Sequence, residues 1–367
     1  FIMDMVMKKL YGLILAVCLL GSICTGTASN VFVPASNPNI TYMGRVSKTN
    51  PEAVRFTYPG VSVCAAFEGT SLQMKTKPGS GAYMVEIDAL DPYRIQIGEN
   101  DSIVSLAEGL PAGTHQVRLM YAIEGYELKP EFYGFYLDEG CHLVPMPELP
   151  VRRIEFIGDS MTCGYGVESE NPKDPFTYET ENHYYTYAAE TARALQAQHL
   201  VVARSGIGIY RNYNGPREGN KDCMPAMYEQ TLFMNPDEHW EHRLFVPDVV
   251  CVNLGTNDVS TKGYDKVLLQ NAYRDFVGYL RKVYPQAKLV LLTGSMLNGK
   301  GLADVKEALD TVTAERQSQG DMNVFRFDMS PQNGSLGYGA SYHPSRRQHQ
   351  KMALELTAYL RKLMGWN

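Results

Sequence analysis

Ile154-Glu-Phe-Ile-Gly-Asp-Ser-Met-Thr-Cys-Gly-Tyr-Gly166 is an apolar run that stops abruptly at Gly-Asp-Ser. Apolar residues followed by small turn-formers predict a buried strand whose carboxyl end delivers Ser160 onto a tight turn. A serine hydroxyl is a weak nucleophile at its own pKa. A reactive serine there needs a base within hydrogen-bond reach and donors for any oxyanion that forms.

Three stretches further along the chain end in residues that fit those needs. Leu200-Val-Val-Ala-Arg-Ser-Gly206 is a second apolar strand, ending at a glycine whose N–H can approach an oxyanion closely. Asp248-Val-Val-Cys-Val-Asn-Leu-Gly255 is a third, and Thr256-Asn257-Asp258 brings an amide side chain to the same edge. Ser341-Tyr342-His343-Pro344-Ser345 precedes an amphipathic C-terminal stretch and supplies a histidine, the candidate base. With further strands beginning near Leu289 and Val324, and helical stretches at 186–198, 266–283, 303–317 and 346–364, the pattern is five strands alternating with helices. That alternation predicts a parallel sheet wrapped by helices, and ligands of such sheets bind at the carboxyl ends of the strands.

The order Ser160, Gly206, Asn257, His343 on four strand ends resembles the blocks of the SGNH (GDSL) hydrolase superfamily. The flanks Ser-Gly-Ile-Gly-Ile-Tyr-Arg-Asn-Tyr213 and Asn-Leu-Gly-Thr-Asn-Asp258, behind a β-rich N-terminal region, are similar to carbohydrate esterase family 2. The resemblance implies an N-terminal jelly-roll-like β-sandwich at 29–148 and a three-layer, flavodoxin-like α/β SGNH domain at 149–367. It implies a metal-independent, cofactor-free serine esterase acting on acetylated plant polysaccharide such as xylan or glucomannan. Ser160 and His343 would be catalytic, Ser160, Gly206 and Asn257 would form the oxyanion hole, and Tyr210, Tyr213 and Tyr342 would contact sugar. The expected alternatives are another SGNH esterase, lipase or thioesterase, or a polysaccharide-binding protein without catalysis.

The binding-protein alternative has a sequence motive. Most SGNH enzymes resemble one another in carrying an aspartate three residues before the histidine, and that position here is Ala340. Some family 2 members are thought to hold the imidazole with a backbone carbonyl, which implies the same for the carbonyl of Ala340 or a neighbour. Asp328, at the end of the strand Asn323-Val-Phe-Arg-Phe-Asp328, reads as a turn cap and is left out of the catalytic set.

Before the connector Val144-Pro-Met-Pro-Glu-Leu-Pro150, short β-rich runs such as Val61-Ser-Val-Cys-Ala-Ala-Phe67 and Ala82-Tyr-Met-Val-Glu-Ile-Asp88 alternate with Gly- and Pro-rich turns, the grammar of a sandwich. Residues 1–28 read as a secretory signal peptide: charged Lys8 and Lys9, an apolar run too short to span a bilayer, and a small-residue cleavage site at Gly26-Thr27-Ala28. A secreted or periplasmic protein is therefore expected. Lipidation at Cys24 is disfavoured by the bulky Ile23 before it.

Two of the seven cysteines fall in that leader. The remaining five are scattered without metal-ligand spacing, and Cys163 and Cys251 read as core. A formal charge of −6 with no basic stripe excludes nucleic acid and membrane insertion from the expected partners. Gly294-Ser-Met-Leu-Asn-Gly-Lys-Gly301 nearly spells a phosphate-binding P-loop, but Gly301 stands where a hydroxyl is required. Trp240, in His239-Trp-Glu-His242, is read as rim or core, and those two histidines match no metal or catalytic spacing.

Overall fold

The structure, a computed structural model, describes residues 30–367; the leader expected at 1–28 lies outside them. Among the described residues no helix is long and apolar enough to cross a membrane.

The N-terminal part is a sandwich of two antiparallel sheets. One contains β1 (Val31–Pro34), β3 (Val54–Arg55), β5 (Leu72–Thr76), β8 (Ile103–Ala107) and β10 (Glu131–Leu137). The other contains β2 (Ile40–Met43), β4 (Ser62–Gly69), β6 (Gly81–Ile87), β7 (Tyr93–Ile97), β9 (Gly113–Tyr121) and β11 (Leu143–Val144). The alternation of β5, buried at Leu72, Met74 and Thr76, is what a strand with one face on the core must show.

The C-terminal part is a five-stranded parallel sheet in the order β13-β12-β14-β15-β16, formed by β12 (Arg152–Gly158), β13 (Ala197–Ala203), β14 (Val249–Asn253), β15 (Lys288–Thr293) and β16 (Val324–Asp328). Its helices are α1 (Ser160–Cys163), α2 (Tyr187–Ala194), α3 (Met224–Met227), α4 (Thr256–Val259), α5 (Lys266–Val283), α6 (Gly299–Ser318) and α7 (Arg346–Met364). The chain runs from β12 to one neighbour, β13, and then returns to the other side as β14. That reversal beside β12 is the switch point at which such sheets open a crevice, and Ser160 follows β12.

Two boundaries differ from the sequence reading. The helix expected over 186–198 stops at Ala194, because Gln196 turns left-handed (φ 49°) and β13 already begins at Ala197 to pair with Arg152. The helix expected from 303 begins at Gly299, a turn earlier, over the near-P-loop. There Lys300 pairs with Asp304 four residues on and lies over the Tyr264 ring, so the lysine is occupied by its own helix face.

The two parts share one apolar core, in which Val63, Phe67 and Tyr121 of the sandwich belong to the same cluster as Ile157, Leu200 and Val252 of the parallel sheet. Arg45 from the sandwich is fully buried against Glu155 of β12 at 3.5 Å, donates to the carbonyls of Tyr228 and Gln230, and lies over the Tyr228 and Trp240 rings. Trp240 is thus core rather than rim. A buried ion pair requires such hydrogen bonding to offset the desolvation of both charges.

Candidate active site

Local sequence explains how Ser160 is presented. Asp159 takes extended geometry as N-cap and its carboxylate accepts the Met161 N–H at 3.0 Å, so the chain turns from strand to helix within one residue. Ser160 thereby sits just past the carboxyl end of β12 with 6 % of its surface exposed.

His343 arrives from the loop between β16 and α7. Its Nε2 is 2.9 Å from Ser160 Oγ, and its Nδ1 is 3.1 Å from the carbonyl oxygen of Ala340. The carbonyl fixes the tautomer: Nδ1 must carry hydrogen to donate, which leaves Nε2 as acceptor toward the serine hydroxyl. The loop that aims the carbonyl holds two non-glycine residues, Ser341 and Tyr342, in the left-handed region (φ 50° and 59°). Such strain persists only where surroundings enforce it. Here the Ser341 N–H donates to the Asp174 carbonyl and the Ala340 N–H to the Gly166 carbonyl. Ala340 is fully buried, and a Cβ on Gly166 would lie 2.4 Å from the Ala340 Cβ, so this contact requires glycine at 166.

Tyr165, which the sequence reading did not single out, stacks on the His343 ring at 3.9 Å and 18°, with its hydroxyl 3.2 Å from Ser341 Oγ. Among the described residues no carboxylate bonds the imidazole. Burial lowers its pKa to about 4, with the backbone partners opposing only in part. Asp328 lies elsewhere, bound by Thr293, Arg326 and Lys306.

The third wall is the loop after β13. Gly206 is left-handed (φ 80°), a conformation glycine adopts without strain. Its N–H and that of Ser160 have no acceptor among the described residues. Asn257 is 7 % exposed and donates one amide hydrogen to the Ile207 carbonyl at 2.8 Å; its second points toward Asp159 Oδ2 at the outer limit of a hydrogen bond, 3.5 Å. Asp258, also passed over in the sequence, clasps this loop: its carboxylate accepts the N–H groups of Ile209, Tyr210 and Arg211 at 2.9–3.1 Å.

The three tyrosines separate. Tyr210 is 8 % exposed and its hydroxyl accepts the Asp265 N–H, so it packs under the loop instead of facing sugar. Tyr213 and Tyr342 are 62 % and 54 % exposed, on the Gly206 loop and beside His343 respectively. The five cysteines of the described chain are all free, and Cys163 and Cys251 are fully buried.

A serine on a strand-to-helix turn, a carbonyl-oriented histidine and unpaired N–H groups can support acyl transfer. The family described as "Carbohydrate esterase 2 N-terminal" matches residues 42–147, and the "GDSL-like Lipase/Acylhydrolase family" matches 156–351. An acetylxylan esterase / glucomannan deacetylase of Cellvibrio japonicus is 32 % identical over 94 % of this chain and 96 % of its own. The chain belongs to carbohydrate esterase family 2. It is a carbohydrate esterase built on the two-domain fold of that family. A cellulase/esterase of Acetivibrio thermocellus is 35 % identical over 90 % of this chain, which spans 40 % of that longer protein. The structure of a family two carbohydrate esterase from Clostridium thermocellum, in complex with cellohexaose, superposes with a TM-score of 0.83 at 35 % identity, covering 89 % of this chain and all of that one.

Proposed function

We propose that this esterase removes O-acetyl groups from plant cell-wall polysaccharide, xylan or glucomannan, or from their oligosaccharides, through an acyl-enzyme. The observation that carries the reading is the 2.9 Å contact of His343 Nε2 with Ser160 Oγ, with Nδ1 held by a carbonyl. Ser160 Oγ attacks the acetyl carbonyl carbon while its proton passes to His343 Nε2. The oxyanion is received by the N–H groups of Ser160 and Gly206 and the Asn257 amide. Collapse breaks the bond to the sugar oxygen, which leaves with the proton from His343. Water then attacks the acetyl-serine, giving its proton to His343, and acetate departs as the serine recovers its hydrogen.

Tyr213, on the Gly206 loop, and Tyr342, next to His343 in the chain, offer exposed rings on which the apolar face of a sugar ring can stack. The name of the Cellvibrio relative supports acetylated xylan and glucomannan as the substrate class. The leader read from residues 1–28 would place the enzyme outside the cytoplasm, where such polymers are found.

Acetate release from acetylated xylan and glucomannan, beside p-nitrophenyl acetate, tests the reading. Ser160→Ala should abolish release on all three, by about 10⁴-fold or more in kcat. Hydrolysis of the small ester without release from either polymer would refute the substrate assignment while keeping the esterase.

A further inference from the structure

A cluster that the Ser160–His343 pair does not use lies in the joint between the domains. Glu124, in the loop after β9, and Glu181, just before the single helical turn His183–Tyr185, are 3 % and 0 % exposed. With the Cys163 thiol of α1 they bring one oxygen or sulfur atom each within 4.8 Å of one another. The Glu124 N–H donates to Glu181 Oε2 at 3.0 Å. Its side chain crosses to the other domain, where Oε1 accepts the Ser205 N–H at 2.7 Å and Oε2 the Ser205 Oγ–H at 2.6 Å. Glu181 Oε1 is buried without a partner among the described residues. The Arg94 guanidinium goes to the Glu181 carbonyl oxygen, the Tyr178 carbonyl and Glu168, and so does not neutralise the pair.

Two carboxylates this close and this dry cannot both ionise. Glu124, whose two oxygens each accept a hydrogen bond from Ser205, is the one held as carboxylate. Glu181, with an oxygen to spare, is the one placed to carry the proton. Its pKa is driven well above the ordinary carboxyl range by burial and by the Glu124 charge. The Cys163 thiol is raised by burial and stays neutral.

We propose that Glu124, contributed by the β-sandwich, is a positioning residue for the oxyanion hole, acting as the ionised half of a carboxyl–carboxylate pair with Glu181. The inference rests on the esterase reading. Its target is the residue before Gly206: Glu124 ties Ser205 on one side, Asp258 ties residues 209–211 on the other, and Gly206 spans the gap in a left-handed turn with its N–H free. If Ser205 loosens, that N–H swings away from the developing charge. Binding of the ground-state substrate does not depend on it.

The full chain carrying Glu124→Gln, assayed on p-nitrophenyl acetate, tests this. The amide offers one acceptor oxygen to two donors, and kcat should fall about ten- to a hundredfold with KM within about twofold. Affinity for phenylboronic acid, which forms a tetrahedral adduct on the serine, should weaken in the same proportion as kcat. A merely structural role would lower the folded fraction and leave the surviving enzyme with normal kcat and boronate affinity, and that result overturns the proposal.

Ser205→Ala supplies a milder second variant: it removes only the hydroxyl donor, should lower kcat several-fold, and should combine with Glu124→Gln to give less than the product of the two losses. Unchanged kcat in Ser205→Ala together with multiplicative losses in the double variant also overturns it. Activity lost to a chelator and restored by Zn²⁺ would show that an ion, not the proton on Glu181, compensates the two carboxyl groups, and would overturn the carboxyl–carboxylate pair. A wild type active on the small ester and inert on both polymers would overturn the polysaccharide reading alone.

Discussion

The two sides of the active site are held by opposite means. On the oxyanion side, the loop after β13 is pinned by two buried carboxylates, Asp258 taking three backbone N–H groups and Glu124 taking the N–H and hydroxyl of Ser205. On the base side, His343 is held by a carbonyl oxygen and a tyrosine face, with no ion pair to the ring among the described residues. Negative charge one shell behind the donors strengthens their anchoring by charge-assisted hydrogen bonds. Next to the imidazole it would instead stabilise the charged form of the ring and raise its pKa. The arrangement separates rigidity, supplied by ions, from basicity, supplied by neutral groups.

The comparison breaks most visibly at Asn257, the side-chain donor on the rigid wall. Asn257→Ala should lower kcat about 10²-fold with little change in KM, measured on p-nitrophenyl acetate; a loss seen mainly in KM would remove the amide from the oxyanion. Next comes pH. Catalysis needs neutral imidazole, and with the His343 pKa lowered to about 4, kcat/KM should stay level from pH 7 to about 5. It should then fall about tenfold by pH 3. A limb near 6.5 would mean either that burial does not depress the ring or that the buried Asp159 carboxyl, raised to about 7 by desolvation, controls the rate.

Stability follows the same sign, since His183 and His343 both have folded pKa values depressed to about 4 from 6.5. Their stabilisation is complete above pH 6.5, where both states are unprotonated, and is lost as pH falls from there toward 4, because the unfolded chain takes up protons first. Acid rates are therefore to be normalised to the folded fraction by circular dichroism.

Asp258→Asn sharpens the rigid side. An amide oxygen accepts less strongly than a carboxylate, and the change should cost about 2 kcal/mol in denaturant unfolding and about fivefold in kcat. Retained stability and rate would show that the clasp is incidental to Gly206. The smallest effect belongs to Tyr165→Phe, which keeps the stacked ring and removes the contact with Ser341 Oγ. About a twofold change in kcat is expected, and a tenfold loss would mean that the hydroxyl, not the ring face, aligns His343.

Which parts of this were legible in the sequence follows from the range of the interactions. β12, β13 and β14 are buried on both faces, so each reads as a continuous apolar run ended by the residues of the site. The carbonyl on His343 was legible only as what the family resemblance implied, because Ala340 says what is missing and not what replaces it. Asp258 stood beside Asn257 in full view, but nothing local says that an aspartate in the short helix after β14 receives three N–H groups from residues 209–211. Glu124 was less legible still: its partner Ser205 is 81 residues away and in the other domain. Tyr210 and Tyr213 have equal claims by spacing, and only packing separates the buried ring from the exposed one.

Arg45 has a consequence for how such a protein can be inherited. Its charge is matched by Glu155 on the first strand of the parallel sheet, and Glu124 crosses the same joint toward Ser205. A recombination event that grafted a foreign sandwich onto this catalytic half would have to import both an arginine and a glutamate at the right places, or strand buried acid and an unanchored loop. A sandwich and a catalytic half taken from different relatives should therefore assemble poorly unless both pairs are carried across together.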